Sequence, residues 1–149
     1  MDKRDIVDTV ALRKAQYCRH LDTKRWDEFA ALFHETPELT FLGPEGETTA
    51  SFSTTSEFVA LTRSFLDGAQ SIHQIHNAEI VVVSDHEVAA IWSMEDYIIF
   101  PAGHEHHLRS MHGYGHYHET WKRQRGDWVI TRLELRRTIF ELQHQDSQA

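Results

Sequence analysis

A chain of 149 residues with 40% hydrophobic and 26% charged residues has the size and composition of one globular domain built around a single core. Its formal charge of −8, with the basic residues scattered, argues against nucleic acid or anionic membrane as a partner, because both need a clustered positive surface. Cys18 has no partner for an internal disulfide, the opening MDKRDIVDTV lacks the apolar core of a signal peptide, and no apolar run approaches the ~20 residues of a membrane helix. The expected setting is soluble and cytoplasmic.

In chain order, Ile6, Val7, Val10, Ala11, Tyr17, Cys18 and Leu21 recur at helical spacing and predict an amphipathic helix ending near Asp22. Trp26, Phe29, Ala30 and Phe33 predict a second, shorter helix that stops before Pro37. LTFLGPEGE reads as a short strand entering a Gly-Pro turn. Thr54 followed by Glu57 is a capping box opening a third helix, with Gly68 as its stop. From Ser71 the pattern turns to β. The stretches SIHQIHNAEIVVV, EVAAIWSMEDYIIF, HLRSMHGYGHYHETWKR and WVITRLELRRTIF are rich in β-branched and aromatic residues. Turns at Ser84-Asp85-His86, Pro101-Ala102-Gly103 and Arg125-Gly126-Asp127 separate them. Helices followed by an antiparallel meander predict an α+β fold, a curved sheet with the helices closing one face around a pocket.

Two residues carry chemistry at informative places. Asp22, in HLDTKRWDEF, lies at a helix junction, where a carboxylate either caps the second helix or points inward. His73, in SIHQIHNAEI, opens the first long strand among Ile72 and Ile75. It is either a hydrogen-bonded core imidazole or a base, its ordinary pKa near 6.5 being suited to proton abstraction. Spacing alone leaves both choices open.

The order LDTKRWDEF, SIHQIHNAEIVVVSDHEV, GHYHETWKRQRGDWVI resembles the scytalone dehydratase and SnoaL-like families over nearly the whole chain, and is similar to hexachlorocyclohexane dehydrochlorinase. The resemblance implies the cone-shaped fold shared with nuclear transport factor 2 and ketosteroid isomerase, with one domain over residues 1–149. It also implies a catalytic pair, Asp22 holding the ring of His73 while His73 removes a proton. Elimination of water or halide from a small cyclic or aromatic substrate would follow, with no cofactor and in a dimer or trimer. Isomerisation or polyketide-type cyclisation would use a similar proton transfer. A non-catalytic ligand-binding module is the alternative outside enzymes.

Several positions depart from the dehydratase pattern. Leu21 stands where that family has a Tyr before its Asp, Ile98 where it has a second pocket His, and Gly115 and Tyr117 where it has Ser and Asn. Tyr117 is either the donor to substrate, its phenol able to donate and accept, or a packed aromatic. Alternation groups Gly115, Tyr117 and Glu119 on the inner face, leaving Tyr114, His116 and His118 outside. Asp96 and Met94 can face inward on the neighbouring strand, Asp96 being otherwise a solvated strand-end charge, and with Ile98 and Leu133 they complete the expected substrate-binding set. The 12 histidines include His104, His106 and His107 in one loop. They show no HExxH spacing, and they are read as loop and sheet-surface residues with no metal role. Glycine-rich nucleotide loops and GxSxG are absent, and Cys18 on the helical stripe reads as a small core residue.

Overall fold

The computed structural model describes residues 2–146. In chain order the elements are α1 (Lys3–Asp22), α2 (Trp26–Ala30), β1 (Phe33–Leu42), β2 (Thr48–Phe52), α3 (Thr55–Phe65), β3 (Gln70–Ser84), β4 (Glu87–Ile99), β5 (Leu108–Gln124) and β6 (Asp127–His144). Asp2 starts α1 by accepting from the backbone N–H of Arg4, and Thr54 starts α3 by accepting from that of Glu57. Helix α1 buries Ile6, Val10, Lys14, Tyr17, Cys18 and Leu21 on one stripe. Among the described residues no helix is long and apolar enough to cross a membrane.

The six strands form one curved, unclosed sheet in the order β2-β1-β6-β5-β4-β3. Every pairing is antiparallel except that of β1 with β6, which is parallel, so the sheet is not the purely antiparallel meander the sequence suggested. The chain reaches β6 only after the β3–β6 meander has turned back on itself, and β1 then lies alongside it. The second helix is also shorter than predicted. It stops at Ala30, and Phe33 begins β1, within which Pro37 lies. Pro37 is tolerated because the register with β6 is irregular between Phe33 and Glu38, where no ladder bond needs its missing N–H. Strand β2, rich in Thr and Ser with no apolar alternation, was not anticipated.

The concave face of the sheet and the helices enclose the core. Tyr17, Phe29, Phe33, Phe58, Phe41 and Phe52 form a continuous aromatic cluster with ring centroids 5.0–6.3 Å apart. Trp121, Trp128, Leu39, Met94, Ile130 and Leu133 are buried in the same core. Bulges add curvature. Asn77, with φ 20°, interrupts β3, and Thr138 and Thr131 are extra residues on β6 opposite β5.

Candidate active site

Helix α1 ends above the start of β3, and this junction builds the site. Asp22 Oδ1 lies 2.7 Å from His73 Nδ1 and accepts from Ser71 Oγ at 2.9 Å, while Oδ2 accepts from the His73 backbone N–H at 2.7 Å. A carboxylate only accepts, so the neutral ring carries its proton on Nδ1 and has its lone pair on Nε2. The side chains retain narrow exposure, 8% for His73 and 16% for Asp22.

The lone-pair nitrogen faces a second carboxylate. Asp96 Oδ2 lies 3.8 Å from His73 Nε2, too far for a hydrogen bond but close enough to attract a protonated ring. Asp96 is itself clamped by Arg137, whose Nη1 and Nη2 donate to Oδ1 and Oδ2 at 2.8 and 2.9 Å. Burial alone would raise the Asp96 pKa, yet the Arg137 hydrogen bonds and charge outweigh it and hold the carboxyl below its usual value. Burial likewise opposes the charge on Arg137, and Asp96 more than restores it. Phe140 stacks on the guanidinium, 4.2 Å from ring centroid to Cζ.

The sheet's register explains why these groups meet. His73, Asp96, Gly113 and Phe140 form one row across β3, β4, β5 and β6. Arg137 faces inward by alternation with Leu133 and Leu135, and the bulge at Thr138 brings Phe140 to the same face. Arg137 reaches Asp96 across Gly113, where a Cβ would collide with the guanidinium and lie 2.7 Å from Asp96 Oδ1. Gly115 has no room either, since a Cβ there would press on the β6 backbone at Arg136 and Arg137.

Of the expected residues, Asp22, His73 and Asp96 come together, and Asp96 is buried instead of being a solvated strand-end charge. Met94 and Ile98 flank Asp96 on β4, and Ile98 pairs with Ser71. Tyr117 and Leu133 point inward but lie deeper, wholly in the core. Burial pushes the phenols of Tyr17 and Tyr117 well above the ordinary tyrosine range, so both are neutral donors. Beneath them Lys14 Nζ pairs with Glu119 Oε2 at 2.5 Å and sits over the rings of Tyr17 and Tyr117, 3.5 and 3.6 Å from their centroids. Glu119 Oε1 accepts from the indoles of Trp92 and Trp121 at 2.7 and 2.9 Å.

One open cavity of about 940 Å³ is lined by Phe100, Ala102, Gly103, His107, Arg109, Gln145 and Asp146, and a second of about 370 Å³ lies along β1 and β2. Neither is lined by Asp22, His73 or the expected substrate-binding residues, because Tyr17, Tyr117 and the Asp96–Arg137 pair fill the cone's interior. His104 is buried, its Nε2 3.2 Å from the Phe65 carbonyl, whereas His116 is exposed and His118 half-buried on the convex face. Cys18 is buried in α1, and burial pushes its thiol up to about 11.

Arg137, Ser71, Lys14 and Tyr17 were absent from the expected site. Parity on β6 groups Arg137 with Leu133 and Leu135, and parity on β3 groups Ser71 with His73. These signals were present in the sequence.

Comparison with known proteins agrees with this architecture. The family model described as a SnoaL-like domain matches residues 2–134. A protein named as a probable cyclase from Gibberella zeae is 33% identical over 138 residues, spanning 87% of this chain and 89% of its own. Among solved structures, a protein from Novosphingobium aromaticivorans provisionally assigned as a scytalone dehydratase superposes with a TM-score of 0.80 at 21% identity, covering 99% of this chain and 95% of that one. A hexachlorocyclohexane dehydrochlorinase from Novosphingobium barchaimii gives 0.75 at 15% identity, covering 99% and 97%. At these identities the two structures establish the shared fold.

Proposed function

The chain belongs to the SnoaL-like domain family, and on that premise we propose that it is a lyase or isomerase that works on a small molecule by proton transfer, without a cofactor. His73 is the base and Asp22 its positioning residue. One observation carries this reading: Asp22 engages Nδ1 at 2.7 Å and, among the described residues, leaves Nε2 free of any hydrogen bond. A neutral imidazole with its second nitrogen anchored has its lone pair aimed and its tautomer fixed, the arrangement general-base catalysis needs. The positive charge formed on the ring would lie between Asp22 and Asp96.

The finer reading is dehydration, in which loss of the proton drives water from the adjacent carbon of a small cyclic or aromatic ketone. Cyclisation is the second reading, favoured by the cyclase relative at 33% identity. Both begin with the same proton transfer. The buried Tyr17, Tyr117 and Met94 would then have to part to admit a ring, with Tyr117 as the neutral donor facing it.

The test is turnover of hydroxylated aromatic and alicyclic ketones, followed by loss of water or by ring closure in mass spectra. His73→Ala is expected to lower turnover by about 10²–10⁴-fold while the far-ultraviolet circular dichroism is unchanged. Full activity in that variant on a substrate the wild type converts would refute the base assignment.

A further inference from the structure

The Asp96–Arg137 pair is not needed to hold His73, which Asp22 and Ser71 already anchor. It is nevertheless an expensive feature. Both side chains are nearly buried, at 4% and 12% exposure, and Gly113 is spared a side chain to let them meet. Asp96 uses one N–H from each terminal nitrogen of the guanidinium, which leaves Nε–H and two further N–H groups for another acceptor.

We propose that Arg137 is the group that receives the substrate oxygen on which negative charge builds when His73 removes a proton. Resting on the base reading above, this assigns the substrate class as neutral carbonyl compounds with an acidic C–H beside the carbonyl.

The geometry supports it in two ways. Asp96 Oδ2 is 3.8 Å from His73 Nε2 and 2.9 Å from Arg137 Nη2, so ring and guanidinium are at most about 7 Å apart, a span that a C–C=O unit with contacts of about 3 Å at each end can bridge. Charge order is the second. In the step, the C–H electron pair becomes a C=C bond, the carbonyl π pair moves to oxygen and the proton goes to Nε2. The array then reads Asp22 negative, His73 positive, Asp96 negative, Arg137 positive, oxygen negative. Each contact within the protein, Asp22 with His73, His73 with Asp96 and Asp96 with Arg137, then joins opposite charges, and no net charge enters the site. Collapse of the enolate expels the group on the next carbon with its electron pair, and a departing hydroxide takes the proton back from His73 as water. In an isomerisation the proton returns to carbon instead.

The test uses 4-nitrophenol, a phenol that ionises near neutrality and whose phenolate absorbs visible light. Bound to the wild type, its ionisation midpoint is expected to fall by at least one pH unit. R137Q should abolish that shift and weaken binding at least tenfold, and R137K should restore part of it. Since R137Q strands Asp96 in the interior, the double variant D96N/R137Q removes both charges, keeps the shape, and should lose the shift while folding cooperatively. H73N should keep the shift. A wild type with no preference for phenolate, or a shift retained in R137Q or in the double variant, would overturn the assignment. A shift lost in H73N but kept in R137Q would overturn it too, by moving the anion to the ring. The readout is ligand ionisation, so its outcome is independent of whether H73A abolishes turnover.

Discussion

Replacing Lys14 by Met tests how the interior is held together. Lys14 and Glu119 are both fully buried and 2.5 Å apart, and Glu119 Oε1 is occupied by two indole N–H groups while Oε2, among the described residues, has only the ammonium. Deleting one partner of a buried ion pair costs about 3–5 kcal/mol, because the other charge stays uncompensated. Loss of the two cation–π contacts adds about 1–2 kcal/mol, and the apolar methionine against Tyr17 and Tyr117 offsets a similar amount. The expected loss is about 4 kcal/mol, a Tm drop of about 8–16 °C for a chain of this size. Glu119→Gln alone should also destabilise, by isolating the ammonium. The double variant K14M/E119Q removes both charges and should recover at least half of the summed losses. Urea unfolding followed by tryptophan fluorescence suits the question, since Trp92 and Trp121 donate to Glu119. A K14M loss below about 1 kcal/mol, or a double variant equal to the sum of the singles, would refute the ion-pair account.

Asp96 should give the fold an acid limit. Its folded pKa lies below the ~3.9 of an unfolded aspartate, so its contribution is complete above that value and disappears as pH falls through the folded one. Stability measured against pH should lose this component in D96N, and a curve of unchanged shape would contradict the pairing. Gly113→Ala should push the guanidinium off Asp96 and cost about 1–3 kcal/mol, read by urea midpoint, with a neutral result refuting the close approach. Cys18, its thiol raised to about 11, should resist a disulfide reagent at pH 8 until urea is added, and prompt labelling of the folded protein would show the burial is wrong. Asp22→Asn should lower turnover more than substrate affinity by releasing the ring, and an unchanged kcat would remove Asp22 from the mechanism.

Elements with strong periodicity were legible. The stripe from Ile6 to Leu21, the Thr54 cap of α3 and the four long strands all formed near their expected bounds. Phe33 was misassigned because its spacing from Trp26 and Phe29 fits a helix, while its burial against Tyr17 and Phe29 in β1 outweighs that local preference. Strand β2 has no apolar rhythm and exists because β1 offers it a partner. Within the site, a helix-end Asp and a strand-start His could be marked as candidates, but their contact bridges 51 positions and no spacing encodes it. Lys14 falls at stripe spacing after Val10. Its charge argued against the core because its partner Glu119 lies far along the chain, on β5. Arg137 keeps inward parity with Leu133 and Leu135, but its partner Asp96 lies two strands away and no spacing encodes that pairing.

Strand β3 is the margin of the sheet, hydrogen-bonded to a strand on one side only, and Asp22 reaches it three times, through the Ser71 hydroxyl and through the backbone and ring of His73. The same carboxylate is thus a latch between the first helix and the outermost strand as well as the anchor of the proposed base. Any partly opened state in which the helix lifts from that margin loses the aimed imidazole at the same moment, so chemical competence and closure rise and fall together. The Nδ1 proton of His73, slowed in its exchange with water by the latch, would report both in one resonance.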